Sequence, residues 1–312
     1  MYKRQTKKSG IQNFTVGNTQ ETWVLYHNPF SLCSRKVRFC LDEYKIEYKS
    51  EPIDLIETGK YGVAEKSFLK INPEATVPVL LFEGKPIYES HEQIKFLVNN
   101  IASNTPILPS EKSEIEEMDY WIKKSSLVGD PILNQDIYAG NCIGPLTFPL
   151  FATMIRYVPL REIIKGLFNH PKKERVLLFL TLKVLGLKTL NSKKLISLLK
   201  KSLSNLNSHF LDLEEHLDKS KQMWILGDDF SLADVSWSVI IHRIHECGWQ
   251  NFLLKDKPNI KEYYKILCAR KSFQSSVIDV DHPLVSKGIY DLKKKLDEES
   301  SIYRTYKTIC NQ

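Results

Sequence analysis

The run Asn28-Pro29-Phe30-Ser31-Leu32-Cys33-Ser34-Arg35-Lys36-Val37-Arg38 most constrains what this chain can become. An apolar, β-prone run, Trp23-Val24-Leu25-Tyr26, precedes it. After it, Val37, Cys40, Leu41 and Tyr44 recur at helical spacing. The stretch therefore reads as a strand, a turn and a helix start, with hydroxyls and a thiol at that start. A helix N-terminus presents unpaired N–H groups and a partial positive charge. A cysteine there has its thiolate stabilised, and a serine there can hydrogen-bond a bound anion or thiolate. Ser31, Cys33 and Ser34 are thus candidate catalytic residues. Simple capping by Ser31 or Ser34, with Cys33 as packing, fits this stretch equally well.

The neighbouring sequence extends the pattern. Thr22–His27 is the first strand, residues 34–44 the first helix, and residues 47–53 a second strand weakened by Pro52. Residues 61–70 read as a helix. Asn72-Pro73 and Val77-Pro78 then lead into a buried-type strand, Val79–Phe82. Glu83-Gly84-Lys85 turns into a short strand, residues 86–88, and Glu89-Ser90 opens a helix over 90–100. The order is βαβαββα, with a proline directly before the third strand. Residues 1–20 carry no periodicity and are expected to form a disordered tail.

These pieces, in this order, resemble the thioredoxin-like domain of glutathione S-transferases. Ser31-Leu32-Cys33-Ser34-Arg35-Lys36-Val37-Arg38 is similar to the zeta-class signature and to the corresponding stretch of tetrachlorohydroquinone reductive dehalogenases. The resemblance implies a mixed four-stranded sheet over residues 21–102 that binds glutathione as co-substrate. It implies a cis peptide before Pro78, with the Val77 backbone pairing with glutathione as an added strand. Glu89 and Ser90 would hold the γ-glutamyl ammonium and carboxylate. Ser31 would activate the glutathione thiol, Cys33 would resolve a glutathionyl intermediate, and Ser34 is the neighbouring cap residue. No metal is implied, and a homodimer is.

The second half reads as an all-α domain over 111–283, after a linker at 103–110 and before an extension at 284–312. Ile115, Met118, Trp121 and Ile122 line one helix face; Leu203, Leu206, Phe210, Leu213 and Leu217 line another. Ser231 with Asp234 is a capping-box start for an apolar helix over 235–247. Residues 231–273 also look most like the dehalogenase group, and Asp234 reads as structural. His242 and His245 read as core or edge histidines. An electrophile pocket is expected between the 111–140 and 235–250 helices.

Residues 140–200 depart from that pattern. The net charge of +7 is uneven: residues 156–201 hold twelve Lys and Arg against Glu162 and Glu174, a net of +10, leaving about −3 elsewhere. A basic amphipathic segment of this kind can meet an anionic membrane weakly. A solvated basic face on extra helices is the plainer reading. The insertion also keeps open a non-catalytic adaptor related to ganglioside-induced differentiation factors. The six cysteines are scattered without CxxC pairs, so neither a disulfide framework nor a zinc site is indicated. With no signal-peptide pattern and no transmembrane run, a cytoplasmic protein is expected, with no nucleic-acid partner.

Overall fold

The computed structural model describes residues 9–16, 20–101, 108–220, 223–296 and 300–310. One mixed sheet holds β1 (Gly10–Ile11), β2 (Trp23–His27), β3 (Lys49–Pro52), β4 (Val79–Phe82) and β5 (Lys85–Tyr88), in the order β1-β5-β4-β2-β3. β2 and β3 are parallel, and the other neighbours are antiparallel. Helix α1 (Leu32–Glu43) crosses from β2 to β3; α2 (Lys66–Ile71) precedes β4, and α3 (Ser90–Asn99) follows β5.

The sheet corrects two expectations. It has five strands, because Gly10 and Ile11 pair with Tyr88 and Ile87, and the Gln12 N–H donates to the Pro86 carbonyl. Two residues are too few to show a period. The expected disordered tail therefore does not hold for residues 9–16, while 1–8 and 17–19 lie outside the described residues. Pro52 is tolerated because β3 is an edge strand, where a missing N–H has no neighbour to serve. The expected helix over 61–70 is shorter: 3-10 turns at Ile56–Thr58 and Gly62–Ala64 come first. Gly62 makes this possible, since a Cβ there would stand 3.0 Å from the Asp54 backbone.

Helix α1 is buried nearly all round, Arg35, Lys36 and Arg38 included. It lies between α3 and a helix of the second domain. That domain comprises α4 (Lys112–Lys124), α5 (Ala139–Leu146), α6 (Phe148–Met154), α7 (Leu160–Asn169), α8 (Lys173–Leu185), α9 (Lys193–Ser220), α10 (Leu232–Glu246), α11 (Gln250–Leu253), α12 (Pro258–Ala269), α13 (Lys271–Phe273), α14 (Pro283–Lys295) and α15 (Ser301–Cys310). Most of the expected linker, residues 102–107, lies outside the described residues.

The α9 stripe from Leu203 to Leu217 is buried as its spacing predicts. The capping box at α10 forms: Asp234 accepts from the Ser231 N–H at 2.8 Å, and Ser231 Oγ accepts from the Ala233 N–H. Asp234 also receives the Ile225 N–H and the Tyr263 hydroxyl, which offset the burial that raises its pKa.

The basic insertion folds as helices that reach the first domain. Ile163, Val176, Phe179 and Leu182 share a core with Ile56, Tyr61 and Ala64. Arg175 pairs with the buried Glu57, and the Tyr61 and His170 rings meet edge to face. Residues expected to form a C-terminal extension are packed in as well. Thr153 donates to the Gly288 carbonyl, and Tyr306 stacks on Trp249 with its hydroxyl on the Cys247 carbonyl.

Candidate functional site

Register gathers three loops at one end of the sheet. Tyr26 near the end of β2 faces Val79 at the start of β4, and Leu80 faces Ile87 near the end of β5. The segments Asn28–Ser31, Val77–Pro78 and Glu89–Ser90 therefore meet there.

The first loop is pinned before it reaches Ser31. Buried Asn28 donates through its amide to the Ile53 carbonyl and the Thr58 hydroxyl, and accepts from the Phe30 N–H. Three guanidiniums hold the carbonyls that follow one another. Arg38 binds those of Asn28 and Pro29, Arg35 binds that of Pro29, and Arg243 binds that of Phe30. Glu246 completes the cluster, accepting from both terminal nitrogens of Arg35 at 2.7 and 2.8 Å and forming an ion pair with Arg243, whose Nε lies 2.9 Å away without a hydrogen bond. Burial alone would raise the Glu246 pKa; the two cations overcome it and hold it down to about 2. Arg38 also donates to His27 Nδ1, which leaves the proton on Nε2 facing Ser50, 2.7 Å away. Burial and Arg38 hold His27 neutral, with its pKa down to about 3.

Ser31 is the N-cap of α1, its Oγ accepting the Ser34 N–H at 3.2 Å. Capping uses only a lone pair, so the Ser31 proton stays available to a bound thiolate. Ser34 is buried, and its hydroxyl accepts the Asn28 N–H, so it braces the loop instead of facing it. Cys33 is a free, half-buried thiol on the first turn of α1. Three residues on, Lys36 is only 2% exposed. Among the described residues no hydrogen bond or ion pair engages it. One turn further along, Cys40 Sγ contacts the Ile94 carbonyl, so Lys36 lies level with Ser90 and His91 at the head of α3. Burial lowers its pKa, opposed by the charge of Cys33.

The Val77–Pro78 peptide is cis. Among the described residues none hydrogen-bonds the Val77 N–H or carbonyl, while Gln93 ties the Pro78 carbonyl to α3. The N-cap of α3 is Glu89, at φ +67°, a strained conformation for a residue with a side chain. Ser90, 5% exposed, therefore does not cap, and no described residue receives its hydroxyl.

The expected electrophile pocket is altered. α10 is buried along nearly its whole length and offers no open wall. Besides Arg243 of α10, α6 borders the loop, its Phe151 meeting Phe30 edge to face at 5.9 Å. His242 bonds the Tyr264 hydroxyl and His245 stacks on the same ring, as packing histidines do. Among the described residues no three metal-ligating side chains converge. Sequence reading missed Asn28, Arg243 and Glu246. Only the switch of period flanked them, and nothing in it pairs residues 211 positions apart.

Comparison with known proteins agrees with this layout. Residues 30–100 match the family "Glutathione S-transferase, N-terminal domain", and residues 197–265 match "Glutathione S-transferase, C-terminal domain". A tetrachloro-p-hydroquinone reductive dehalogenase of Sphingobium chlorophenolicum is 23% identical, covering 81% of this chain and 94% of that one. The human ganglioside-induced differentiation-associated protein 1-like 1 is 24% identical, covering 86% and 77%. A beta-etherase structure from Sphingobium sp. strain SYK-6 shares the fold at a TM-score of 0.64, with 21% identity over 82% of this chain and 98% of that one. A Pseudomonas fluorescens glutathione transferase family member with two bound glutathiones does so at 0.55, with 17% identity over 82% and 92%. With both family domains matched in order on this architecture, the chain belongs to the glutathione S-transferase superfamily and is a glutathione S-transferase-like enzyme.

Proposed function

We propose that this sheet end binds glutathione and activates its thiol for attack on a small apolar electrophile. One observation carries the reading: no described residue partners the Val77 main chain or the Ser90 hydroxyl, at the sheet end where the Ser31 hydroxyl accepts and does not donate. Glutathione would add a short strand at Val77. Its γ-glutamyl carboxylate would meet Ser90 and the open N–H groups of α3, and its ammonium would meet Glu89. The Ser31 hydroxyl and the Lys36 ammonium both favour the charged form of the thiol, which is the nucleophile.

The glutathione thiolate displaces a leaving group from the substrate, giving a thioether. In a reductive turn Cys33 as thiolate then attacks the glutathionyl sulfur. The sulfur–substrate bond breaks, its electron pair takes a proton on the substrate carbon, and a Cys33–glutathione disulfide forms. A second glutathione thiolate reduces that disulfide and leaves as oxidised glutathione. The relative from Sphingobium chlorophenolicum is named for such a reduction, and the Phe30–Phe151 pair suits a ring substrate. Cis–trans isomerisation would need only the first thiolate addition and its reversal. A cytoplasmic homodimer is the matching assembly.

A non-catalytic adaptor on the same fold would give the open groups at Val77 and Ser90 no use, so the enzyme reading is preferred. A glutathione-affinity column tests the choice. Retention with elution by free glutathione is expected, and passage unretained would overturn the reading.

A further inference from the structure

The site leaves the outer face of α7 and α8 without a role. The inner residues of both helices, Ile163, Val176, Phe179 and Leu182, enter one core. Their outer faces look away from that core. On α7 that face carries Leu160, Ile164 and Phe168 at successive four-residue steps, and Phe168 is 81% exposed. On α8 it carries Leu177 and Val184, the latter 78% exposed. Contiguous apolar side chains in water mark an interaction surface more than scattered ones do.

Charge says what covers it. Arg161 and Lys165 flank the α7 ridge with side chains 81% and 61% exposed; both pair with Glu162, tucked in at 17%, and the three leave a net +1 at this margin. Residues 156–201 as a whole carry +10. A second copy of this chain would bring the same positive charge against it, and like charges across an interface oppose association. An anionic partner is favoured instead. Among the described residues no helix is long and apolar enough to cross a membrane. An apolar ridge with a basic margin suits a helix that lies in the membrane interface, its ridge among the upper acyl chains.

We propose that the outer face of α7 and α8 docks the protein peripherally on an anionic lipid surface, with Phe168 and Val184 inserted and Arg161 and Lys165 against the headgroups. This stands independently of the glutathione chemistry.

Co-sedimentation of the full chain with phosphatidylcholine vesicles, with and without phosphatidylserine, tests it. Pelleting is expected with phosphatidylserine at low salt and release at high salt. Arg161→Gln with Lys165→Gln should weaken binding about 30-fold, at roughly fivefold for each base. Phe168→Ser with Val184→Ser should weaken it at least about tenfold. Thermal unfolding and glutathione affinity serve as controls for folding. No pelleting of the wild type at low salt overturns the proposal. So does full pelleting of the Ser variant, or a wild-type dimer that the Ser variant turns into monomer.

Discussion

The foundation under the first loop and the cradle above it treat buried polar groups in opposite ways. In the foundation, Arg35, Arg38, Arg243 and Glu246 are buried and bonded to one another or to the loop carbonyls. In the cradle, Lys36, Ser90 and the Val77 main chain are buried or half-buried, and among the described residues none hydrogen-bonds them. An unpaired buried polar group costs free energy, and where several converge beside a loop at a sheet end a ligand that pairs them gains that free energy back. The difference teaches where to look for a ligand: beside the satisfied charges, at the groups that remain open.

The sharpest way to break the comparison is to unpair the foundation. Glu246→Ala strands two guanidiniums in the interior and should cost about 3–5 kcal/mol of stability. Denaturant unfolding measures it, and a loss under about 1 kcal/mol would mean that the carbonyl contacts alone suffice. Next come the two residues at the head of α3. Ser90→Ala and Glu89→Ala should each cost about 1.5–3 kcal/mol of glutathione binding, roughly tenfold to a hundredfold, by calorimetry. For Ser90→Ala stability should change far less, because no described residue receives that hydroxyl.

Acid sharpens the same contrast. The Glu246 pKa is about 2 folded against 4.5 ordinarily, so its contribution is complete above pH 4.5 and disappears as pH falls towards 2. His27 and His242, both lowered to about 3 from 6.5 by burial, are neutral in the fold. Their loss therefore begins higher, as pH falls below 6.5. Unfolding followed against pH should show both phases in the wild type. Glu246→Gln should lack the lower one and keep the upper one. The smallest effect belongs to Lys36→Met. Removing a buried cation that no described residue pairs should leave stability unchanged or slightly raised, by denaturant unfolding. A large destabilisation would mean that Lys36 belongs to the foundation.

How much of this the sequence announces follows from the range of each interaction. Local patterns were legible: the strand-to-helix switch at 28–34, the proline before β4, and the Ser231–Asp234 cap. All of these are decided within a few residues. The sheet count was not legible, because β1 is two residues long and borrows its partner, β5, from almost 80 positions away. The candidate residues Ser31, Cys33, Val77, Glu89 and Ser90 were readable from the resemblance, but their division of labour was not. Ser34 turned out to brace Asn28. The spacing of α1 predicts a single buried face, yet Arg35, Lys36 and Arg38 are buried too, because α3 and α10 close on it from both sides. Tertiary contact decided that, and periodicity carries no record of it.

The central claim is that the open groups receive glutathione with its thiol ionised. The direct measurement is the ultraviolet absorbance of the thiolate of bound glutathione, titrated against pH in the wild type and in Ser31→Ala. The account predicts a wild-type midpoint well below that of free glutathione, and a variant midpoint moved up towards it. A wild-type midpoint equal to that of free glutathione would contradict the account.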